Sequence, residues 1–242
     1  MSIARKLLMG SSGGKKSTYV DEVFSTYLWE GNATTRDINN GVDLDSEGGL
    51  VWFKNRDNGN QDHYLFDTTA LPQSSSPFYS YPLFSNSSTA RGPSANGLKS
   101  FNSDGFSIYT DTAVNGNNES ISSWTFRKAP GFFDVVTYTG DNSSSRNISH
   151  NLGSIPGMII IKKTDGGGEW RIWHRDIPSS VLTFTNIPLA SSATYFPSVP
   201  TNAQFTIANN SEVNQNGENY VAYLFAGGSS TAATARSVDF DG

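Results

Sequence analysis

The sequence predicts an all-β protein, built as two tandem, internally duplicated β-sandwich-like domains after a short N-terminal anchor segment. Three observations predict this class. Glycine, serine, asparagine and threonine are abundant among the 242 residues while methionine is scarce, which favours short strands joined by turns over helices. Apolar residues recur in alternating or continuous runs of strand length. Two long blocks of the sequence are versions of each other.

The predicted boundaries follow from these blocks. We expect an attachment segment and tether over residues 1–20, a first β domain over 21–129, its repeat over 130–227, and over 228–242 a linker with the start of a further domain. The formal net charge is -5, which argues against a nucleic-acid binder. Cysteine is absent, so no thiolate chemistry is available. No apolar run approaches the length of a membrane-spanning helix, so no membrane insertion is expected.

The segment Ser2–Met9, SIARKLLM, is the only stretch with helical character, and the tether Gly10–Ser17 follows it. The tether nearly spells a phosphate-binding loop, but Lys15 stands where the second glycine belongs and no strand precedes it. Two interpretations stay open: a frayed terminus, or a segment that becomes ordered only on docking to a partner. In the second case the contact residues are Ile3, Arg5, Lys6, Leu7 and Leu8, with Lys15 and Lys16 complementing an acidic socket.

The repeat pairs specific residues of the two copies. Gly31 corresponds to Gly140, Lys54 to Lys162, and Phe126 to Phe225. The separation falls from 108 residues at Lys54 to 99 at Phe126, so the first copy carries about nine extra residues between them. They lie in Leu71–Gly97, a proline- and serine-rich loop with an aromatic centre.

Each copy is expected to contain the same strands in the same order. A first strand (Val23–Trp29, Phe132–Tyr138) and a short second strand (Arg36–Ile38, Arg146–Ile148) precede a continuous apolar strand, LVWFK or MIIIK. Such a run is typical of a central strand that is buried on both faces. An alternating strand follows, in which Trp170 and Ile172 share one face and Trp173 the other. A hairpin closes each copy, and Asn216-Gly217 is its turn signal.

Ser123–Gly140 contains the seam between the copies. Pro130 and Gly131 break one strand from the next and leave almost no linker. The two domains are therefore expected to stack end to end as a stiff rod, with Phe132 and Phe133 packing the seam. After the second copy, Ser237–Gly242 has the alternation of a strand and is expected to open a further domain.

Candidate functional residues are few. Asp43, Asp45 and Glu47 have the spacing of half a calcium loop, but Lys54 stands where the bidentate glutamate belongs, which favours a solvated turn. The histidines show no metal-ligand spacing, and no catalytic, cofactor or metal site is predicted. Trp29, Trp52 and Trp124 are expected in the core. Exposed aromatic contacts, with core or inter-subunit packing as the alternative, are considered for these residues: Trp170, Trp173, Phe78, Tyr79, Tyr81 and Phe84.

Several blocks together resemble tail-fibre or related structural proteins of marine phages, notably cyanophages. The blocks, which span nearly the whole chain, are SIARKLLM, NGVDLDSEGGLVWFKNR, SWTFRKAPGFFDVVTYTG, HNLGSIPGMIIIKK and YVAYLFAGG. In such proteins a segment similar to ARSVDFDG leads into a concanavalin/laminin-G-like domain. The long aromatic loop of the first copy is where this chain departs from that pattern.

The resemblance implies a virion protein of the phage tail without enzymatic activity or cofactor. Its N-terminus would dock on tail adaptor or nozzle proteins, and distal domains would meet the host surface receptor. Fibres are usually closed homo-oligomers, so a homotrimer is expected. A carbohydrate-binding module for host glycans and a head or neck decoration protein remain the alternatives; a depolymerase is disfavoured because no paired acidic motif stands out.

Overall fold

The computed structural model describes residues 18–72, 78–184 and 190–228. The predicted anchor residues Ile3 to Leu8 and the expected strand at Ser237–Gly242 lie outside these ranges. Within them the fold is all-β and of the sandwich type, with antiparallel pairing throughout. The fold class predicted from the sequence is thus confirmed.

The first half contributes two sheets and a small ribbon. Its helices and strands are α1 (Val20–Val23), β1 (Phe24–Glu30), β2 (Arg36–Asn39), β3 (Gly49–Asn55), β4 (Tyr64–Asp67), β5 (Tyr79–Ser80), β6 (Leu83–Phe84), β7 (Ser94–Ala95), β8 (Leu98–Asn102), β9 (Gly105–Ile108), α2 (Thr112–Asn115) and β10 (Ser120–Arg127). Sheet A has the order β1-β10-β3-β4-β6, sheet B has the order β2-β9-β8, and β5 pairs with β7 to form ribbon C. Sheets A and B enclose a core that includes Phe53 and Phe106.

The second half repeats this plan. Its elements are β11 (Phe133–Thr139), β12 (Ser145–Ser149), β13 (Pro156–Lys163), β14 (Arg171–His174), β15 (Ser180–Leu182), β16 (Ala190–Ser191), a 3₁₀ turn (Ser192–Thr194), β17 (Gln204–Ala208), α3 (Ser211–Asn214) and β18 (Asn219–Ala226). Sheet D has the order β11-β18-β13-β14-β15-β16, and β12 pairs with β17 to form sheet E. A second core, which includes Trp173 and Phe205, fills the space between sheets D and E.

The duplication extends to individual hydrogen bonds. The amide of Gly31 donates to Glu119 O at 2.8 Å, and the amide of Gly140 donates to Glu218 O at 2.8 Å. A Cβ at Gly31 would lie 2.1 Å from Gly116 O, and one at Gly140 would lie 2.1 Å from Gln215 O. Both positions therefore require glycine because a neighbouring carbonyl occupies the place of a side chain.

Two local expectations are wrong. Helical turns occur within the two copies, where none was expected, and α2 and α3 occupy equivalent places in the two halves. Asp111 and Asn210 cap them by accepting from the amides of Ala113 and Glu212, as short polar residues do at helix N-termini. The closing strands do not form hairpins, since β9 lies in sheet B and β10 in sheet A. Each helical turn carries the chain from one sheet to the other.

The expected end-to-end arrangement is also wrong. The outer face of sheet A packs against the outer face of sheet D, and a third core lies between them. Leu50, Leu65 and Leu83 come from sheet A, while Ile160, Ile172 and Val221 come from sheet D. The layers therefore follow the order B, A, D, E. Strand β3 lies between the first core and the third core, and this position explains its continuous apolar run, as predicted.

The two strands that flank the seam occur where the sequence predicts them, to within a few residues at their ends. Strand β10 ends at Arg127 and β11 begins at Phe133, and Gly131 between them has a φ of 76°. Phe133 is fully buried in the third core and Phe132 packs against it. The seam reverses the chain direction between two facing sheets, which is why a short break produces face-to-face rather than end-to-end packing.

Candidate functional site

The most elaborate arrangement of side chains in the structure is the interface between sheets A and D. Its apolar part is aromatic around the seam: the ring of Phe126 lies 5.5 Å from that of Phe133 and 5.3 Å from that of Phe225. Fully burying each large apolar side chain contributes on the order of 1.5–3 kcal/mol. A joint with its own buried core holds its two parts in one orientation, unlike the polar interfaces that allow domains to move.

A buried charge network crosses the interface. The Asp67 carboxylate, at the end of β4, has no solvent-exposed surface. It accepts a hydrogen bond from Arg91 Nη2 at 2.6 Å and from the Tyr223 hydroxyl of β18 at 2.7 Å. The Thr69 hydroxyl and amide complete its shell. An ionised carboxylate without these partners could not be accommodated there, so the network fixes how the two halves are aligned.

The chain between the end of β6 and β7 of the first half forms a clasp, which we define as residues Phe84–Arg91. Trp170 Nε1 of the second half donates to Phe84 O at 2.9 Å and to Ser87 O at 3.2 Å. The amide of Gly168 donates to Ser88 O at 2.9 Å, and the amide of Arg91 donates to Thr164 O at 2.8 Å. The clasp lies in the loop region that is longer in the first copy, so the inserted region joins the two halves.

Lys162 reaches the clasp from strand β13. Its ammonium, which is buried, donates to Ser88 O at 3.2 Å and to Lys163 O at 3.0 Å. Burial lowers the pKa of Lys162 to about 8, against the favourable charges of Glu212 and Glu169 and with the repulsion of Lys163. The equivalent residue of the first half, Lys54, is only half-buried. Of the two equivalent lysines, only Lys162 is buried at the interface between the halves.

The pH dependence of stability should report this difference. A lysine whose pKa is lower in the folded than in the unfolded protein stabilises the fold increasingly as pH rises from 8 to about 10.5. We expect the free energy of unfolding contributed by Lys162 to rise by about 1–3 kcal/mol across this window. The measurement is urea denaturation at a series of pH values, comparing the wild type with Lys162→Met.

The matched control is Lys54→Met. Burial raises the pKa values of Tyr138 and Tyr223 well above the ordinary value, and these groups reduce stability above pH 10 in all three proteins alike. The difference between wild type and variant therefore isolates each lysine. Equal pH-dependent differences for the two variants would contradict the assignment of the lowered pKa to Lys162.

The predicted exposed aromatic residues prove to be partly or wholly internal. Trp170 and Trp173 have relative exposures of 0% and 1%, so both indoles pack in the interior, which is one of the two alternatives that the sequence left open. Trp170, directly before β14, lies in the third core with Ile172, whereas Trp173 of β14 lies in the core between sheets D and E. Among the loop aromatics, Phe78 stacks on Tyr109 at 4.5 Å and Phe84 packs on Tyr64 at 4.9 Å. Tyr79 and Tyr81 are half-buried.

The tryptophans predicted to be internal differ from one another. Trp29 lies in the core between sheets A and B, as expected. Trp52 and Trp124 are only half-buried and lie side by side on the outer face of sheet A, with ring centroids 6.2 Å apart. Sequence reasoning missed this partly open pair because their strand positions are apolar in both copies. The polar residue Thr26, which is the cross-strand neighbour of Trp124, was a sign in the sequence that this side of the sheet is partly open.

A cleft of about 400 Å³ opens at the rim of the interface. Thr69, Ala70 and Arg91 line one side, and the end of β11 with Thr164, Asn219 and Tyr220 lines the other. The Asn219 side-chain amide is engaged with neighbours, since it accepts from the Thr139 hydroxyl at 2.8 Å and donates to Asp165 at 2.7 Å. Polar side chains that line the cleft, such as Arg91, Asn219 and Tyr220, are thus already hydrogen-bonded within the protein.

The acidic turn considered for calcium is organised around its own backbone. Asp43 accepts from the amide of Ser46 at 3.1 Å and from the hydroxyl of the same residue, as in turns closed by an aspartate. Across the described ranges no three histidine, aspartate or glutamate side chains converge as metal ligands would. The described helices include none that is long and apolar enough to cross a membrane.

The model of the domain of unknown function DUF7483 matches residues 19–233. The chain belongs to the DUF7483 family. The DUF7483 match runs through both halves, so the family unit is the duplicated pair and includes the interface and the clasp. No curated protein matches the sequence.

Proposed function

We propose that this DUF7483 protein is a structural component of a phage virion, the proximal part of a tail fibre that holds distal receptor-binding domains at a fixed position. One observation carries the proposal: the two sandwiches share a buried core and a buried charge network, so they form a single stiff unit. A fibre segment needs such stiffness because the position of its distal end depends on every joint before it. The sequence resemblance to marine-phage tail proteins supports the same function.

In this proposal the work of the protein is mechanical. The N-terminal segment attaches to a tail adaptor or nozzle protein through Ile3, Leu7 and Leu8, with Arg5 and Lys6 facing an acidic socket. The third core prevents bending within the attached unit. Three copies assemble around the fibre axis, and the distal domains contact the host receptor.

The test is to delete residues Met1–Ser17 in the phage that encodes the chain and to quantify the protein in purified virions. We expect the protein to be lost from the particle, while the purified variant keeps its thermal unfolding midpoint. A variant in which only Gly10–Gly14 is replaced by another flexible sequence serves as the control and should incorporate normally. Normal occupancy after the deletion would refute the anchor.

Labelling the chain on intact virions by electron microscopy distinguishes the remaining alternatives. Tail labelling is expected. Label on the head or neck would identify a decoration protein instead. Glycan-array binding by the isolated chain, with loss of binding when loop aromatics such as Phe78 are replaced by alanine, would favour a carbohydrate-binding module over a spacer.

A further inference from the structure

The outer face of sheet A is only partly covered by sheet D. Directly opposed residues of antiparallel strands point to the same face, and the strand registers define one row across all five strands. The row consists of Thr26, Trp124, Trp52, Leu65 and Leu83. Leu65 and Leu83 are buried in the third core, Trp52 and Trp124 are half-buried, and Thr26 is exposed. Sheet D therefore covers only part of this mainly apolar row.

The uncovered end of this row lies on an edge strand. Strand β1 forms one edge of sheet A, and Leu28 on the same outer face is 60% exposed. Edge strands of monomeric proteins are commonly protected by lysine, proline or inward-pointing charge. Strand β1, FSTYLWE, has no lysine or proline and a single charge at its last residue. The described edge thus combines open backbone groups with exposed apolar side chains.

We propose that the open part of this face is the surface through which copies of this chain associate. It is formed by Thr26, Leu28 and Trp124, and it is bordered by Trp52, which packs on Phe184 of the second half at 5.6 Å. The occupant is a second copy because the surface continues the apolar face that already binds sheet D within the chain. The inference rests on the proposed function, because the closed homo-oligomer is part of that proposal. It adds the surface through which the copies make contact.

The geometry of the indoles favours a protein partner over a sugar. The planes of Trp52 and Trp124 meet at 66°, so they offer no flat platform for stacking on a sugar ring. Edge-to-face aromatic pairs of this kind accept aliphatic and aromatic side chains well. Tryptophan is also enriched among the residues that dominate binding energy at protein interfaces.

The experiment measures the oligomeric state of the full chain by analytical ultracentrifugation over a wide concentration range. The wild type is expected to self-associate, and Leu28→Glu to raise the dissociation constant by at least about tenfold. Thr26→Arg is the second variant and alters only an exposed residue, so folding is not at risk. Val199→Glu is the matched control, since Val199 is a 65% exposed apolar residue elsewhere on the surface and its replacement should leave association unchanged.

Three results would overturn the inference. They are a wild type that stays monomeric at every concentration, association that survives both Leu28→Glu and Thr26→Arg, and an equal loss in Val199→Glu. A monomer whose tryptophan emission shifts on addition of soluble oligosaccharides would point to a sugar-binding face instead. A negative result for this contact surface is distinguishable from a failure of the proposed function, because the location of the protein on the virion is measured in a separate experiment.

Discussion

Replacing Asp67 with alanine is expected to destabilise the protein by about 3–5 kcal/mol. Removing one partner of a buried ion pair leaves the other charge without compensation. Here the Arg91 guanidinium would remain largely buried without its carboxylate, while it still donates to Tyr81 O at 3.2 Å. The Tyr223 hydroxyl would also lose its acceptor. The measurement is the free energy of unfolding from urea denaturation at pH 7.

Two further variants serve as controls for the measurement on Asp67→Ala. Tyr223→Phe removes one hydrogen bond and should cost about 1 kcal/mol. Glu47→Gln weakens the long ion pair between the exposed Glu47 and the half-buried Arg127, in which Oε1 and Nη1 are 3.9 Å apart, and should cost less than about 1 kcal/mol. A cost for Asp67→Ala as small as that of Glu47→Gln would show that the network does not hold the interface together.

Replacing Trp170 with alanine is the second change with a large expected effect. The indole is fully buried in the third core, packs on Phe184 at 5.3 Å and holds the clasp through its Nε1 atom. Large-to-small changes at such positions cost about 3–5 kcal/mol. We also expect the halves to uncouple, because the lost contacts join the first half to the second. Calorimetry should then show two unfolding transitions where the wild type shows one.

Trp173→Ala is the matched comparison. Trp173 is equally buried and lies three residues further along the chain, in β14, but its side chain enters the core between sheets D and E. We expect a similar loss of stability without uncoupling. Trp170→Phe keeps an apolar ring and removes the clasp hydrogen bonds, so it should fall between wild type and Trp170→Ala. Two transitions in Trp173→Ala and one in Trp170→Ala would contradict this division of roles.

Both changes concern an interface that the sequence indicated only indirectly. The continuous apolar run of β3 predicts a strand covered on both faces, and this is what the structure shows. The sequence does not say what covers the second face. The expectation of an end-to-end rod rested on the near absence of a linker at Pro130-Gly131, whereas the break reverses the chain and brings two sheets face to face.

The sequence by itself determined the long strands of each copy and the duplication. These features depend on local chemistry, such as residue alternation, glycine under a neighbouring carbonyl and proline at a break, and each copy repeats the same local solution. Only the tertiary structure decided which side of each strand is covered by which partner. Trp170 and Trp173 therefore lie in two separate cores, Lys162 is buried where Lys54 is not, and Trp52 and Trp124 remain half open. The physical reason is that burial depends on contacts between residues far apart in the chain, which no local pattern specifies.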